Sequence, residues 1–245
     1  MLTFFFLVSI IYFGEKINRF KENIMNQIEV IEISTQKKFM KNKVYLCVNN
    51  FTNETVLIDP SWEMEKIENV INDRKLDLKA ILLTHSHFDH VNLVDDFVDK
   101  YDCEVYISKI EKEFYSFDSK NLITFSDGEE LNIGSMKIKT LVMPGHSKGS
   151  TCFIIEKNFF SGDTLWIEKC ALPCELYKES SVDLLKSIRY IFDNVNDDFY
   201  FYPGHAFREA PGILFSKVKE KNKFTNLKSI NDFESMINWS SFLQK

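Results

Sequence analysis

The chain has 245 residues, of which 44% are hydrophobic, and it carries a formal net charge of −6 at pH 7. That length suffices to bury one sizeable core, which predicts a single domain. The acidic balance excludes a general nucleic-acid-binding protein, because neutralising phosphates needs a surplus of Lys and Arg. We expect a cytoplasmic protein without a nucleic-acid partner.

An apolar run over residues 1–13 lies within an N-terminal extension of residues 1–24. The run is shorter than the roughly 20 residues that span a bilayer, and it lacks the flanks of a signal peptide. Two interpretations stay open, a hydrophobic arm or anchor and an upstream start codon, and we favour the second, with Met25 as the true start. The functional domain is therefore predicted over residues 25–245, with no membrane partner unless residues 1–13 anchor the chain.

The first predicted elements are strands. Apolar residues alternate over 28–33, and strand-like runs follow over 44–48 and 56–58, which predicts an antiparallel opening sheet. The third strand ends at Asp59, and Ser61 is placed to cap a helix that ends near Arg74. A buried strand over 78–83 then leads into the segment 84–90. A further helix is predicted over 92–101.

The second half of the chain is also rich in strands. We predict a helix over 110–115, another over 182–192, and strands over 105–107, 136–142, 151–155, 159–161 and 199–201. Two β-rich halves with interspersed helices predict an α/β fold, arranged as a four-layer α/β/β/α sandwich. The strand ends should then meet at one edge.

All five histidines lie in turn-like segments where predicted strands end: His85, His87, His90, His146 and His205. Three of them fall within the single segment Thr84-His-Ser-His-Phe-Asp-His90, which is difficult to explain as packing. Zinc and similar ions bind neutral imidazoles and carboxylates, and catalytic sites leave one position open for water. The pattern therefore predicts a metal centre.

The spacing within the segment 84–90 predicts two ions. His85 and His87 lie two residues apart and can face one ion, whereas Asp89 and His90 point away from them and can serve a second.

Each predicted ion still needs further ligands from strand ends elsewhere. His146 and His205 would complete the two sites, and Asp163 could lend one carboxylate oxygen to each ion. Asp59 is the expected acceptor for a hydrogen bond from a ligand imidazole or a loop amide.

This ordered series resembles the ligand series of the metallo-β-lactamase superfamily, and the match covers nearly everything from Met25 onward. Asp163 and the final His205 are similar to the glyoxalase II branch. Two further segments resemble short zinc hydrolases encoded with polyketide synthases. They are Gly162-Asp-Thr-Leu165, followed by Cys170 and Cys174, and Tyr202-Pro-Gly-His-Ala-Phe207, followed by Pro211-Gly212. The chain departs from the family pattern at Asn92-Leu93, after His90, and at Lys148, in the loop of His146. The segment after His205 is also short, which puts glutathione specificity in doubt.

The resemblance implies a binuclear metal-dependent hydrolase of the αβ/βα metallo-β-lactamase fold. The expected substrate is a thioester of an acyl-carrier protein, coenzyme A or glutathione. We expect a hydroxide that bridges two divalent ions to attack the thioester, with Asp89 orienting the hydroxide and carrying its proton. Zinc is the expected metal, with iron or manganese as alternatives.

Other functions share this kind of site. The alternatives are a lactonase, a phosphodiesterase, a persulfide dioxygenase with a single iron, and a binding module without catalysis, although such a module should have lost ligands and none is missing.

The five cysteines are odd in number and lie in apolar runs, so buried thiols are expected rather than disulfides. Cys170 and Cys174 are expected to be buried thiols that can shape the substrate entrance. The lysines of the run 217–223 could dock an acidic carrier protein, but a solvated face is the preferred interpretation.

Overall fold

The computed structural model describes residues 27–174, 177, 180–227 and 229–237. The predicted N-terminal extension, residues 1–24, lies outside the described residues. Two six-stranded sheets form the centre of the fold, one from each half of the chain. Within the described ranges, no helix has the length and apolar character needed to cross a membrane.

The first sheet contains the strands in sequence order: β1 (Ile28–Lys37), β2 (Met40–Asn49), β3 (Glu54–Ile58), β4 (Asp77–Leu82), β5 (Glu104–Ser108) and β6 (Leu122–Phe125). The pairs β1–β2 and β2–β3 are antiparallel, which confirms the predicted opening sheet. Strands β3 to β6 are parallel, and the helices of this half connect them: α1 (Met64–Arg74), α2 (Phe88–Val91), α3 (Val94–Tyr101) and α4 (Lys109–Tyr115).

The second sheet runs β12-β11-β10-β9-β8-β7. Its strands are β7 (Glu130–Ile133), β8 (Met136–Val142), β9 (Thr151–Ile155), β10 (Asn158–Gly162), β11 (Tyr200–Pro203) and β12 (Ile213–Leu214), and its helices are α5 (Ser180–Asn194), α6 (Phe215–Lys221) and α7 (Ile230–Ile237). Strands β10 and β11 are parallel, so both end at the same edge.

Three apolar clusters confirm the predicted four layers. Along β2, Val44 and Leu46 pack outward against α1 and α3, whereas Tyr45 and Cys47 pack inward against the second sheet. This alternation follows from the two-residue period of a strand. The outer face of the second sheet packs against α5, α6 and α7. Burying each large side chain stabilises the fold by about 1.5–3 kcal/mol.

Two helix starts differ from the sequence predictions. Ser61 does not cap α1, whose N-cap is Glu63, because the Ser61 hydroxyl is buried 3.1 Å from Thr35 Oγ1. The helix predicted over 92–101 is α3, which begins two residues later than predicted. A separate one-turn helix, α2, precedes it inside the histidine segment, where the His90 amide donates to the His87 carbonyl at 2.9 Å.

Candidate metal centre

Five strands end at a predicted site residue. The chain leaves β3 at Asp59, β4 shortly before His85, β8 before His146, β10 at Asp163 and β11 before His205. All five segments meet at one edge of the two sheets, as the short contacts between their side chains show. The edge therefore gathers groups that are up to 146 positions apart along the chain, from Asp59 to His205.

The first cluster consists of His85, His87 and His146. The Nε2 atoms of His85 and His146 lie 3.3 Å apart, and the His87 ring centroid lies 4.6 Å from each of the other two. Two nitrogens bound to one tetrahedral zinc ion at 2.0–2.1 Å lie about 3.3 Å apart, so this spacing fits a shared ion.

The protonation state of the first cluster also fits a metal. Burial lowers the pKa of His85 and of His87, and it lowers the pKa of His146 to about 4. The three imidazoles are therefore neutral at pH 7, the form that binds zinc. His146 Nδ1 donates to the Leu172 carbonyl at 2.9 Å, which leaves Nε2 as the free ligand atom.

The second cluster combines two imidazoles with two carboxylates. His205 Nε2 lies 3.4 Å from Asp89 Oδ2 and 3.2 Å from Asp163 Oδ2, and His90 Nε2 lies 3.6 and 3.7 Å from the same two oxygens. His205 Nδ1 donates to the Lys41 carbonyl at 2.6 Å, so its Nε2 is turned toward the cluster. These four donors also have the spacing of ligands around one ion.

The charges of the second cluster favour a cation between its members. Burial raises the pKa of Asp89 and of Asp163, but the nearby imidazoles of His205 and His90 outweigh it and hold both well below the usual range. Burial opposes protonation of His205, whereas Asp163 and Asp89 raise its pKa to about 10. The two carboxylates thus attract positive charge, and a divalent ion would supply it.

Asp163 lies between the two clusters. Its Oδ2 is 3.2 Å from His205 Nε2 and 3.8 Å from His146 Nε2, which belongs to the first cluster. Its Oδ1 accepts a hydrogen bond from Trp166 Nε1 at 3.1 Å. A Cβ at residue 204 would lie 2.3 Å from Asp163 Oδ1, so only glycine lets this strand end approach so closely.

Asp59 orients the cluster side chains instead of facing an ion. Its Oδ1 accepts from the Thr84 amide at 2.8 Å, and its Oδ2 accepts from the Thr84 hydroxyl at 2.6 Å and from His90 Nδ1 at 3.0 Å. Asp59 also lies near His85 and His90, but its oxygens are occupied by these donors. A left-handed backbone, with φ of 51°, turns the side chain toward Thr84.

Replacing Asp59 with asparagine is expected to weaken zinc affinity by about 10- to 100-fold, because the amide would set N–H groups against the donors of Thr84 and His90. Competition with a coloured chelator measures the affinity. Asp99→Asn, at an exposed carboxylate paired with Lys120, is the matched control. Equal affinities in the two variants would contradict the orienting role.

Sequence reasoning missed Asn42 and Trp62, which hold Asp89. Asn42 Nδ2 donates to Asp89 Oδ2 at 3.0 Å and to the Asp89 carbonyl at 2.8 Å. Trp62 Nε1 donates to Asn42 Oδ1 at 2.8 Å, and since indole only donates, it fixes which way the amide points. A polar residue at the start of a strand gives no signal of this role.

Glu111 was also missed, although it connects both loops of the first cluster. It is fully buried in α4, where Oε1 accepts from the amide and hydroxyl of Ser86 and Oε2 accepts from Ser147 Oγ and the Gly149 amide, all at 2.8 Å. Ser86 lies between His85 and His87, and Ser147 follows His146. In sequence, Glu111 looks like an ordinary acidic residue of a helix first turn.

The cysteines are buried thiols, as predicted. Burial raises the pKa of the Cys170 thiol well above its ordinary value, which disfavours the thiolate that nucleophilic attack needs. Cys174 Sγ lies 3.2 Å from the Tyr115 hydroxyl, and the Tyr115 ring lies 6.3 Å from the His87 ring. Cys174 therefore lies near the first cluster, where the sequence predicted a contribution to the entrance.

Comparison with known proteins agrees with this arrangement. A family model described as the metallo-beta-lactamase superfamily matches residues 43–205. The probable polyketide biosynthesis zinc-dependent hydrolase BaeB of Bacillus velezensis is 33% identical over 86% of this chain and 93% of its own length. A hydroxyacylglutathione hydrolase of Psychromonas ingrahamii is 26% identical over 78% of this chain and 72% of its own.

Among solved structures, a metallo-beta-lactamase from Staphylococcus aureus superposes with a TM-score of 0.75 at 20% identity. The superposition covers 87% of this chain and 68% of that one, and it shows that the two share a fold.

Proposed function

Because the chain belongs to the metallo-beta-lactamase superfamily, we propose that it is a hydrolase that cleaves a thioester with the help of two divalent ions. The observation that carries this proposal is the position of Asp163, whose Oδ2 lies within 3.8 Å of ligand atoms from both clusters. A single shared carboxylate between two donor sets is an arrangement suited to two adjacent ions.

The donor atoms are nitrogens and oxygens, which suit zinc and also accept iron or manganese. One ion would be held by His85, His87 and His146, and the other by Asp89, His90 and His205. Asp163 would contact both ions. When bound, such ions lower the pKa of water from about 16 to about 7 and polarise a carbonyl oxygen. The name of the Bacillus velezensis relative supports zinc.

The protein's own groups orient the reaction. Asp89 is ionised at neutral pH, since its pKa is held below the usual range. Its carboxylate can align an attacking water and accept a proton from it, while Asn42 keeps the carboxylate in place. A carboxylate of such low pKa is a weak base, so it serves only a water that is already acidified.

A thioester fits this chemistry because a thiolate leaves readily and needs little help from a general acid. The relative named hydroxyacylglutathione hydrolase acts, by its name, on such a bond, and BaeB is named for polyketide biosynthesis.

The structure does not favour docking of a carrier protein by the lysine run 217–223. Three of its lysines already pair with carboxylates: Lys217 with Glu220, Lys219 with Asp197 and Lys221 with Glu209.

The proposed function predicts that chelation abolishes hydrolysis. Purified protein should contain about two equivalents of metal, and removing them should lower thioester turnover by about 10³-fold or more, with recovery when zinc is added. Thioesters of coenzyme A, glutathione and N-acetylcysteamine are compared with lactones, phosphodiesters and a persulfide. Thioester turnover by metal-free protein would contradict the mechanism. Faster cleavage of a lactone, a phosphodiester or a persulfide would assign that activity to the protein instead.

A further inference from the structure

Among the residues that the structure describes, three lysine ammonium groups lie over aromatic rings around the candidate metal centre. Lys37 lies 5.0 Å from the Trp62 ring and 5.7 Å from the Phe88 ring, Lys148 lies 4.1 Å from the Tyr177 ring, and Lys169 lies 5.1 Å from the Trp166 ring and 4.6 Å from the Phe207 ring. In a protein with a net charge of −6, positive charges gathered at this edge point to a negatively charged ligand.

Lys169 belongs to a wall that touches the second cluster directly. We call Trp166, Lys169 and Phe207 the cationic wall. The Trp166 ring lies 5.5 Å from the His205 ring and 5.1 Å from the Phe207 ring, and its Nε1 donates to Asp163. The Lys169 ammonium therefore lies 5.1 Å from the Trp166 ring, and that ring lies 5.5 Å from the ring of His205, a predicted metal ligand.

The surroundings of Lys169 make it a stronger anion binder than a surface lysine. It is half-buried, and this burial lowers its pKa because it takes the ammonium partly out of water. Because the ammonium has already lost part of its own hydration, less of its water must be displaced when an anion binds, and the attraction acts through a lower dielectric than at the open surface. Phe207, which is 61% exposed beside it, offers apolar surface for a chain that leads to the reacting bond.

The other two lysines are weaker candidates. Lys37 is exposed on the β1–β2 hairpin, where solvent screens its charge. Lys148 lies two residues after His146, which belongs to the first cluster, whereas Lys169 lies over the ring that contacts His205.

We propose that the cationic wall binds an anionic group of the substrate, a phosphate or a carboxylate, with Lys169 contacting the charge and Trp166 and Phe207 packing against the chain that connects it to the thioester. This inference rests on the proposed function and deepens it. It assigns specificity to one wall of the site, and it names the substrate class as thioesters that carry a negative charge away from the scissile bond.

The test compares one butyryl group on three thiols: neutral N-acetylcysteamine, coenzyme A with its phosphates, and glutathione with its carboxylates. Lys169→Gln should lower kcat/KM for at least one of the two anionic thioesters by about tenfold, and Lys169→Glu by more, with turnover of the neutral thioester within about twofold of wild type. The thioester that suffers the larger loss identifies phosphate or carboxylate. Raising the ionic strength should reduce the preference in the wild type only.

Lys157→Gln is the control, since Lys157 is exposed on the turn between β9 and β10 and pairs with Asp198, which precedes β11. Equal losses on all three substrates would show that Lys169 supports the metal centre or the fold, and no loss on either anionic substrate would show that it binds none. Either result overturns the proposal.

A binding measurement separates this inference from the proposed function. Titrating tryptophan fluorescence with S-hexylglutathione and with S-hexyl phosphopantetheine gives affinities without turnover, and Trp166→Phe identifies the reporting indole. Affinity that falls about tenfold in Lys169→Gln, without hydrolysis of any thioester, would refute the proposed function and support the wall. Thioester hydrolysis together with unchanged affinities in Lys169→Gln would support the proposed function and refute the anion-binding role of the cationic wall.

Discussion

Replacing Asp163 with alanine is expected to lower thioester hydrolysis by about 10³-fold or more and to reduce bound metal from about two equivalents to one or fewer. The side chain lies within 3.8 Å of ligand atoms from both clusters, so its loss removes a donor from each ion at once. It also removes a negative charge that a bound cation would otherwise meet in a buried site. Elemental analysis and steady-state kinetics on the same preparation measure the two effects.

Asp163→Asn separates the charge from the shape. An amide of the same size keeps one oxygen, so we expect it to retain more metal than Asp163→Ala but to remain at least about 10²-fold impaired. Asp198→Ala, at an exposed carboxylate paired with Lys157, is the matched control for loss of an aspartate. Two equivalents of metal together with wild-type turnover in Asp163→Ala would refute the shared-ligand assignment.

Replacing Glu111 with alanine is expected to lower the free energy of unfolding by about 3 kcal/mol or more, because four donors lose their acceptor and the two backbone amides among them are buried or half-buried. The same change releases the Ser86 loop from the Ser147 loop, so metal occupancy of the first cluster and hydrolysis should fall with it. Urea unfolding in chelator measures the stability change without a contribution from bound metal.

The matched control is Glu113→Ala, two residues further along the same helix. Glu113 is 64% exposed and lies 3.8 Å from Lys109, so its loss should change stability by less than about 0.5 kcal/mol. Glu111→Gln should fall between the two, since its amide can accept but also brings N–H groups against existing donors. If Glu111→Ala and Glu113→Ala unfold at the same urea concentration, Glu111 does not stabilise the fold by connecting the Ser86 and Ser147 loops.

Much of the fold was accessible from local sequence. Strand β8, Met136–Val142, and strand β9, Thr151–Ile155, begin and end where predicted, because β-branched residues and turn residues mark them plainly. The one-turn helix α2, Phe88–Val91, was not predicted. Hydrophobic periodicity could not show that the chain already turns at His90, since that turn places ligands instead of packing a core.

The candidate ligands could be predicted because rare, chemically specific residues recur at strand ends. Their supporting residues could not, because Glu111, Asn42 and Trp62 are of common types in unremarkable positions. Glu111 acts on Gly149, 38 residues away, and Asn42 acts on Asp89, 47 residues away. Such roles depend on how separate segments pack.

The chemical groups of the candidate site and the class of fold could be inferred from the sequence, since residue type and hydrophobic period are local properties of the chain. Which atoms face each other depends on the tertiary structure. It placed one oxygen of Asp163 near both clusters, turned Asp59 toward Thr84 and His90, and laid Lys169 over aromatic rings beside the centre. These are contacts of about 3–5 Å between distant segments, and they are set by the packing of two sheets and their helices.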